Sequence, residues 1–178
     1  MLVLVGPSAS GKSAIVKCLE SKYGIKKFIT CTTRPMRVGE VDKVDYYFMT
    51  KDEFNEHYIN NEFIETVFYN GNYYGTLKKE AGINKVVILE PQGLKKFLEA
   101  VENIYSVFLY TNPDILKMRM INRGDSMLDV NKRLENDKIL FSKEQLEKIN
   151  LEIDTSDMTI DEIALKIINA YNEYLKTI

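Results

Sequence analysis

Short apolar runs alternate along the chain with segments whose apolar residues recur at helical spacing. Each run is rich in β-branched or aromatic side chains, a composition typical of buried strands. The predicted strands are Leu2 to Val5, Phe28 to Thr30, Val86 to Leu89, Tyr105 to Tyr110 and Ile149 to Ile153. Because helical segments separate these runs, the pattern predicts an α/β fold in which helices flank a parallel sheet on both sides.

Local signals mark where helices begin between these runs. Pro91 suits the first position of a helix, and the pair Asn112-Pro113 is expected to open another. The clearest start is a capping box formed by Thr159 and Glu162. The final helix then keeps one apolar face, made of Ile160, Ile163, Ala164, Ile167, Tyr171, Tyr174 and Leu175.

One stretch, residues 34–83, departs from this alternation because it is aromatic and β-rich. It contains strand-like segments at Tyr46 to Phe48 and Phe63 to Tyr69. A short helix is predicted between them, where Thr50 and Glu53 form a second capping box. We interpret this stretch as a lobe inserted into a core made of residues 1–33 and 84–178.

Composition narrows the class of protein. The 178 residues suffice for one domain with an inserted lobe, and 45% hydrophobic with 28% charged residues excludes a disordered chain. The 24 Lys and Arg against 26 Asp and Glu give a formal charge of -2, so nucleic acid is not an expected partner. No apolar run approaches the ~20 residues of a membrane-spanning helix, so no membrane partner is expected either.

Cysteine and histidine usage agrees with a reducing environment. Cys18 and Cys31 do not make a disulfide framework, and His57 is the single histidine, which excludes a multi-histidine metal site. We expect a cytoplasmic location.

The turn after the first predicted strand carries a phosphate-binding motif. The pattern G-x-x-x-x-G-K-[ST] is matched by Gly6-Pro7-Ser8-Ala9-Ser10-Gly11-Lys12-Ser13. Glycines let the backbone approach a ligand, and the turn directs successive N–H groups, at a helix N-terminus, toward phosphate oxygens. Lys12 is expected along the β- and γ-phosphates, with the Ser13 hydroxyl on Mg²⁺. The motif predicts a nucleotide, and leaves open whether the protein is a hydrolase, a switch or a kinase.

Four further stretches follow the motif, and the whole set resembles the guanylate kinase family. They are Thr30 to Glu40, Val44 to Phe48, Phe63 to Glu65 and Gly71 to Thr76. They occur in the family's order and at nearly the family's spacing. The resemblance spans Met1 to Thr76 and continues more weakly to the C-terminus, and it implies a P-loop kinase fold with ATP as the phosphate donor.

The resemblance also implies that the lobe holds GMP, the phosphate acceptor. Arg34 and Arg37 would grip its phosphate, since guanidinium groups match phosphate oxygens bidentately. A carboxylate at Glu65 can accept hydrogen bonds from both N1–H and the 2-amino group of guanine, two donors that adenine lacks, so adenine would leave the carboxylate unpaired. The expected GMP contacts are Thr30, Arg34, Arg37, Tyr46, Glu65, Tyr74, Thr76 and Glu90.

On the donor side, a short lid is expected at about residues 122–136. Arginines at matching family positions close over the transferring phosphates, and phosphoryl transfer depends mainly on such positioning and charge neutralisation. The expected catalytic residues are Lys12, Arg34, Arg119, Arg123 and Arg133. The expected ATP contacts are Gly6, Pro7, Ser8, Ala9, Ser10, Gly11, Lys12, Ser13, Ala14 and Asp154.

The chain departs from the family pattern at one chemically important place. The family carries two acids at the end of the strand before a Gln-Gly pair, and here Glu90 matches the second while Ile88 replaces the first. The leading hypothesis is transfer of the γ-phosphate of ATP to GMP with Mg²⁺. A kinase with another acceptor, such as dGMP or a phosphorylated sugar, and a weakly active protein-binding module are the alternatives. The oligomeric state is left open.

Overall fold

The computed structural model describes residues 1–69 and 71–178, which form two sheets and their surrounding helices. The strands are β1 (Leu2–Val5), β2 (Lys26–Lys27), β3 (Cys31–Thr32), β4 (Tyr47–Phe48), β5 (Phe63–Tyr69), β6 (Asn72–Leu77), β7 (Lys85–Ile88), β8 (Tyr105–Tyr110) and β9 (Leu151–Asp154). The helices are α1 (Lys12–Tyr23), α2 (Lys51–Ile59), α3 (Pro91–Ala100), α4 (Pro113–Asn122), α5 (Met127–Leu140) and α6 (Ile160–Leu175), with a 3₁₀ turn at Lys78–Glu80.

The core sheet is parallel, in the order β2-β7-β1-β8-β9. Leu2 and Leu4 of β1 pack into the layer of α1 and α6, while Val3 and Val5 pack into the layer of α3. Successive side chains of a strand point to opposite faces, so the unbroken apolar run is explained by burial on both sides. The predicted α/β class is confirmed.

The second sheet is smaller, in the order β4-β3-β6-β5. Helix α2 covers it, and Phe54 of this helix stacks on Phe63 with ring centres 4.5 Å apart. A Cβ atom on Gly75 of β6 would lie 2.6 Å from the Phe63 ring, so only glycine permits this close packing. This sheet lies along the chain between β2 and β7 of the core sheet, where the sequence predicts an inserted lobe, and it begins at β3, ahead of residue 34. We refer to it, with α2, as the lobe.

Several predicted boundaries are found in the structure. Strands β1, β5 and β8 have the bounds that the sequence predicts, Pro91 is the first residue of α3, and α4 starts after Asn112. Both capping boxes are formed, at Thr50 and Glu53 for α2 and at Thr159 and Glu162 for α6.

The prediction of a strand from Phe28 to Thr30 is wrong. These residues connect β2 of the core sheet to β3 of the second sheet, and no strand is assigned to them. Phe28 is 3% exposed and packs with Phe97, so its apolar character reflects burial. The last core strand is also displaced, because it runs over Leu151–Asp154 where the pattern predicts Ile149 to Ile153. Among the described residues, no helix has the length and apolarity needed to cross a bilayer.

Candidate active site

The loop between β1 and α1 is shaped by positions where a side chain would interfere. A Cβ atom on Gly6 would collide with the carbonyl oxygen of Leu109 on β8. Gly11 has φ 95° and is the N-cap of α1. Because glycine has no side chain to cap the helix, the first amides of α1 remain available to an acceptor from outside the chain. This combination of free amides and a helix N-terminus is suited to binding phosphate.

Lys12 is held inside this loop. Its Nζ donates to the carbonyl oxygens of Gly6 and Pro7, at 2.6 Å in each case. Burial lowers the pKa of Lys12 to about 8, although the carboxylates of Asp137 and Glu90 act in the opposite direction. Lys12 is therefore protonated at neutral pH, with a pKa that is sensitive to any added negative charge.

Glu90 lies at the N-cap of α3, at the edge of the core next to Lys12. Its charge is close enough to the phosphate loop to raise the pKa of Lys12 against the effect of burial. The expected contact of Glu90 with GMP stays a prediction. Ile88, two residues earlier, is 36% exposed and lines a cavity with Thr30 and Tyr46. The end of β7 thus lies between the phosphate loop and the inserted lobe.

Two arginines at the end of α4 lie beside the start of α1. A cavity of about 280 Å³ is lined by Ala9, Gly11, Lys12, Ser13, Ala14, Arg119 and Arg123. Arg119 donates to the carbonyl oxygens of Ala9, at 3.3 Å, and Thr155, at 2.9 Å. Asp125 pairs with Arg123 at 2.6 Å and with Arg133 at 3.4 Å. The structure therefore places Arg119 and Arg123 beside the motif, and Arg133 next to them through Asp125.

The segment after β9 supports the loop from the other side. Thr155 is buried, and its hydroxyl contacts Thr111 at 2.6 Å and the Ser10 carbonyl at 3.3 Å. Hydrogen bonds from the side chain and the backbone N–H of Ser156 hold the pKa of Asp154 below its usual range. Asp154 thus stands as an anion at the carboxyl end of the core sheet.

In the lobe, an arginine and two aromatic rings form one cluster. Arg34 donates to both carboxylate oxygens of Glu40, at 2.6 and 3.0 Å, and lies 5.6 Å from the centre of the Tyr46 ring. Tyr46 in turn packs edge-on against Tyr74, with ring centres 6.2 Å apart. Hydrogen bonds from Arg34 and from the Arg37 backbone N–H lower the pKa of Glu40. The Arg37 side chain itself is exposed.

Glu65 and Thr76 face each other across β5 and β6. Thr76 is 4% exposed, and the half-buried carboxylate of Glu65 lies 3.5 Å from Lys96 of α3. Thr30 lines a different cavity, of about 230 Å³, together with Val16 of α1 and Ile88 of β7 from the core and Tyr46 from the lobe. Residues of the lobe and of the core therefore share this cavity.

Two contacts in the site could not be predicted from the sequence. The backbone N–H of Ser8 donates to Asp137 Oδ2 at 2.7 Å across 129 residues, and Lys96 approaches Glu65 from another element. Asp137 and Lys96 belong to helical patterns in which charged residues read as solvent-facing. Only the packing of α5 and α3 brings them to the site.

The phosphate loop lies between the first strand and the first helix of a parallel sheet, and a second sheet is inserted along the chain. These features define a P-loop nucleotide-binding fold. The sequence model described as guanylate kinase matches residues 1–170. The chain belongs to the guanylate kinase family, which confirms the resemblance.

Individual relatives agree with this assignment. Guanylate kinase of Clostridium perfringens strain 13 is 39% identical over 132 residues, which cover 70% of this chain and 61% of the relative. That of Lactococcus lactis is 35% identical over 176 residues, covering 84% and 85%. The crystal structure of guanylate kinase from Anaplasma phagocytophilum superposes with a TM-score of 0.63 at 28% identity, covering 97% of this chain and 84% of that one. The chain thus spans about three fifths of the length of the Clostridium relative.

Because burial lowers the pKa of Lys12, we predict that the protein takes up a proton when it binds a polyphosphate in mildly alkaline solution. At about pH 9 most Lys12 is neutral before binding, because its pKa is about 8. Bound phosphates favour the charged form and raise this pKa, so a large fraction of one proton is taken up per ATP bound. At about pH 7 Lys12 is already charged, and its contribution falls to near zero.

Calorimetry of ATP binding in buffers of different ionisation enthalpy measures this uptake. The Lys12→Arg variant is the matched control, because a guanidinium stays protonated throughout this pH range. Binding of ATP by the unaltered chain without proton uptake at the alkaline pH would contradict the account of Lys12.

Proposed function

We propose that the chain transfers the γ-phosphate of ATP to GMP, producing ADP and GDP. The observation that carries this proposal is the cavity shared by lobe and core. Tyr46, which contacts Arg34, lines this cavity together with Ile88 at the end of β7. Glu90 follows two residues later and is close enough to Lys12 to raise its pKa against the effect of burial. This arrangement would let two groups that bind phosphate approach each other, as a reaction between two nucleotides requires.

On the donor side, the α1 amides and Lys12 would hold the terminal phosphates of ATP. Lys12 can turn from the carbonyl oxygens of Gly6 and Pro7 to phosphate oxygens, which are stronger acceptors because they are charged. Arg119 and Arg123 line the cavity of about 280 Å³ beside Lys12, and they supply further positive charge. Charge that develops on the transferring group would thus meet fixed cations.

On the acceptor side, Arg34, Tyr46 and Tyr74 would bind the GMP phosphate. Contact with the Tyr46 ring, 5.6 Å away, would limit the positions of the Arg34 guanidinium, which lowers the entropy lost when it binds phosphate oxygens. Arg37, at the exposed end of the loop, would complete the grip. The acceptor phosphate is already an anion, so no side chain need act as a strong base.

Mg²⁺ is part of this proposal, and the residues present fit its chemistry. Mg²⁺ usually keeps several waters and binds through phosphates with few protein ligands. The Ser13 hydroxyl is exposed in the first turn of α1, within the cavity that Lys12 also lines, so it would be the protein ligand. When bound, the metal would neutralise charge on the donor phosphates. Glu90 would hold metal-bound water from its place beside Lys12.

An acceptor panel tests the proposed reaction. With ATP and Mg²⁺, we expect ADP release that depends on GMP and leaves GDP as the second product. Release that occurs only with dGMP or a phosphorylated sugar would favour a kinase with another acceptor. Absence of release with every acceptor would contradict the proposal and favour a binding module.

The Glu65→Gln variant tests how the base is read. Gln presents an NH₂ donor where guanine also presents donors, so kcat/KM for GMP should fall by about 100-fold while the Kd of ATP stays unchanged. Glu56→Gln, an exposed change on α2 of the same lobe, is the control and should leave both values unaltered. Equal losses of GMP use and ATP affinity in Glu65→Gln would contradict the role of Glu65.

A further inference from the structure

A carboxylate from another part of the chain is bound to the phosphate loop. Asp137, near the end of α5, accepts a hydrogen bond from the backbone N–H of Ser8 at 2.7 Å. Ser8 is the third residue of the motif that begins at Gly6. Backbone N–H groups of such loops are the donors that bind phosphate oxygens. In the structure, one of these donors is paired with an anion of the chain itself.

The charge of Asp137 also acts on the cation of the loop. Burial lowers the pKa of Lys12, and among the opposing effects that of Asp137 is larger than that of Glu90. Asp137 is therefore close enough to Lys12 to interact with it electrostatically as well as with Ser8 by a hydrogen bond. Hydrogen bonding and charge together place the carboxylate in the same anion-binding environment that a phosphate would enter.

The packing of α5 shows how this contact could be released. Val130, near the start of the helix, is buried against Leu116 and Met120 of α4, with Leu134 packed beside them. Further along α5, a cavity of about 480 Å³ lies between the helix and β8, and its lining includes Pro7, Phe108, Asp137 and Phe141. Phe141, at the end of the helix, stacks on Phe108 with ring centres 6.3 Å apart, so the helix is held at both ends. Asp137 itself borders the open space, so its carboxylate can turn from the loop into the cavity while these contacts remain.

We propose that Asp137 competes with the phosphates of the donor for the phosphate loop, and so lowers the affinity of the chain for ATP. Binding of ATP would then require that α5 release Ser8. This inference rests on the proposed function only for the identity of the donor as a nucleoside polyphosphate. Removal of the negative charge should strengthen ATP binding, because it removes a repulsion and leaves a weaker, neutral acceptor to compete for Ser8.

The Asp137→Asn variant separates charge from shape. Asparagine has the same size and keeps an oxygen that can accept from Ser8, but it carries no charge. In calorimetric titrations with ATP and Mg²⁺, without an acceptor and at low salt, we expect the Kd to decrease roughly tenfold, within the usual range for coupled sites. Adenosine, which has no phosphate, should bind with unchanged affinity.

Glu135→Gln is the matched control, since it removes an exposed carboxylate from the same helix. Its Kd for ATP should change little. Thermal unfolding of both variants establishes that each is folded before titration.

Two results would overturn the proposal. Weaker ATP binding by Asp137→Asn would mean that Asp137 assists the donor, through the metal or through the seating of α5. An unchanged Kd would mean that the contact with Ser8 is structural only. Both titrations omit the acceptor, so they stand apart from the proposed reaction. If Asp137→Asn binds ATP more tightly but the unaltered chain does not phosphorylate GMP, only the proposed reaction is refuted. If the unaltered chain phosphorylates GMP but Asp137→Asn has an unchanged Kd for ATP, only the role of Asp137 is refuted.

Discussion

Electrostatic repulsion between two phosphorylated nucleotides is the constraint on which the proposed reaction depends. The terminal phosphates must come into contact, although both are negatively charged and repel each other. In the proposed reaction, this constraint would be met by amides fixed at the start of α1, by Lys12, and by arginines at the end of α4 and in the lobe. Fixed donors of this kind do not need to reorganise as charge moves during transfer.

Several donors around the phosphate loop and in the lobe are paired with an anion of the chain. Glu40 pairs with Arg34, Asp125 pairs with Arg123 and Arg133, and Asp137 accepts from the loop backbone. Such pairs keep closely spaced cations from repelling each other and hold their side chains near the positions where phosphate would bind. Under the proposed function, substrate binding would exchange one anion for another, which would lower affinity and favour release of products.

The parts of the molecule that could be predicted from the sequence are those set by residues close together in the chain. The phosphate loop, the capping boxes and the strand bounds of β1 and β8 depend on residues close together in the chain, and the structure contains all of them. Resemblance to a family extends this reach to the lobe, where Arg34, Tyr46 and Tyr74 do form one cluster.

Features that depend on distant packing could not be predicted. The run from Phe28 to Thr30 looks like a strand because it is apolar, but its burial comes from Phe97 and its place between two sheets. Nothing near Asp137 or Lys96 in the chain indicates that either reaches the site, because the arrangement of α5 and α3 decides it. The position of Glu90 beside Lys12 likewise follows from the parallel pairing of β7 with β1.

The most direct test of this account is the binding of a single molecule in which adenosine and guanosine are joined through a polyphosphate chain. If the two phosphate-binding groups face one cleft, this molecule should displace both ATP and GMP, and its affinity should exceed that of either nucleotide because the second contact becomes intramolecular. Displacement of only one nucleotide, with an affinity no better than that nucleotide alone, would contradict the arrangement.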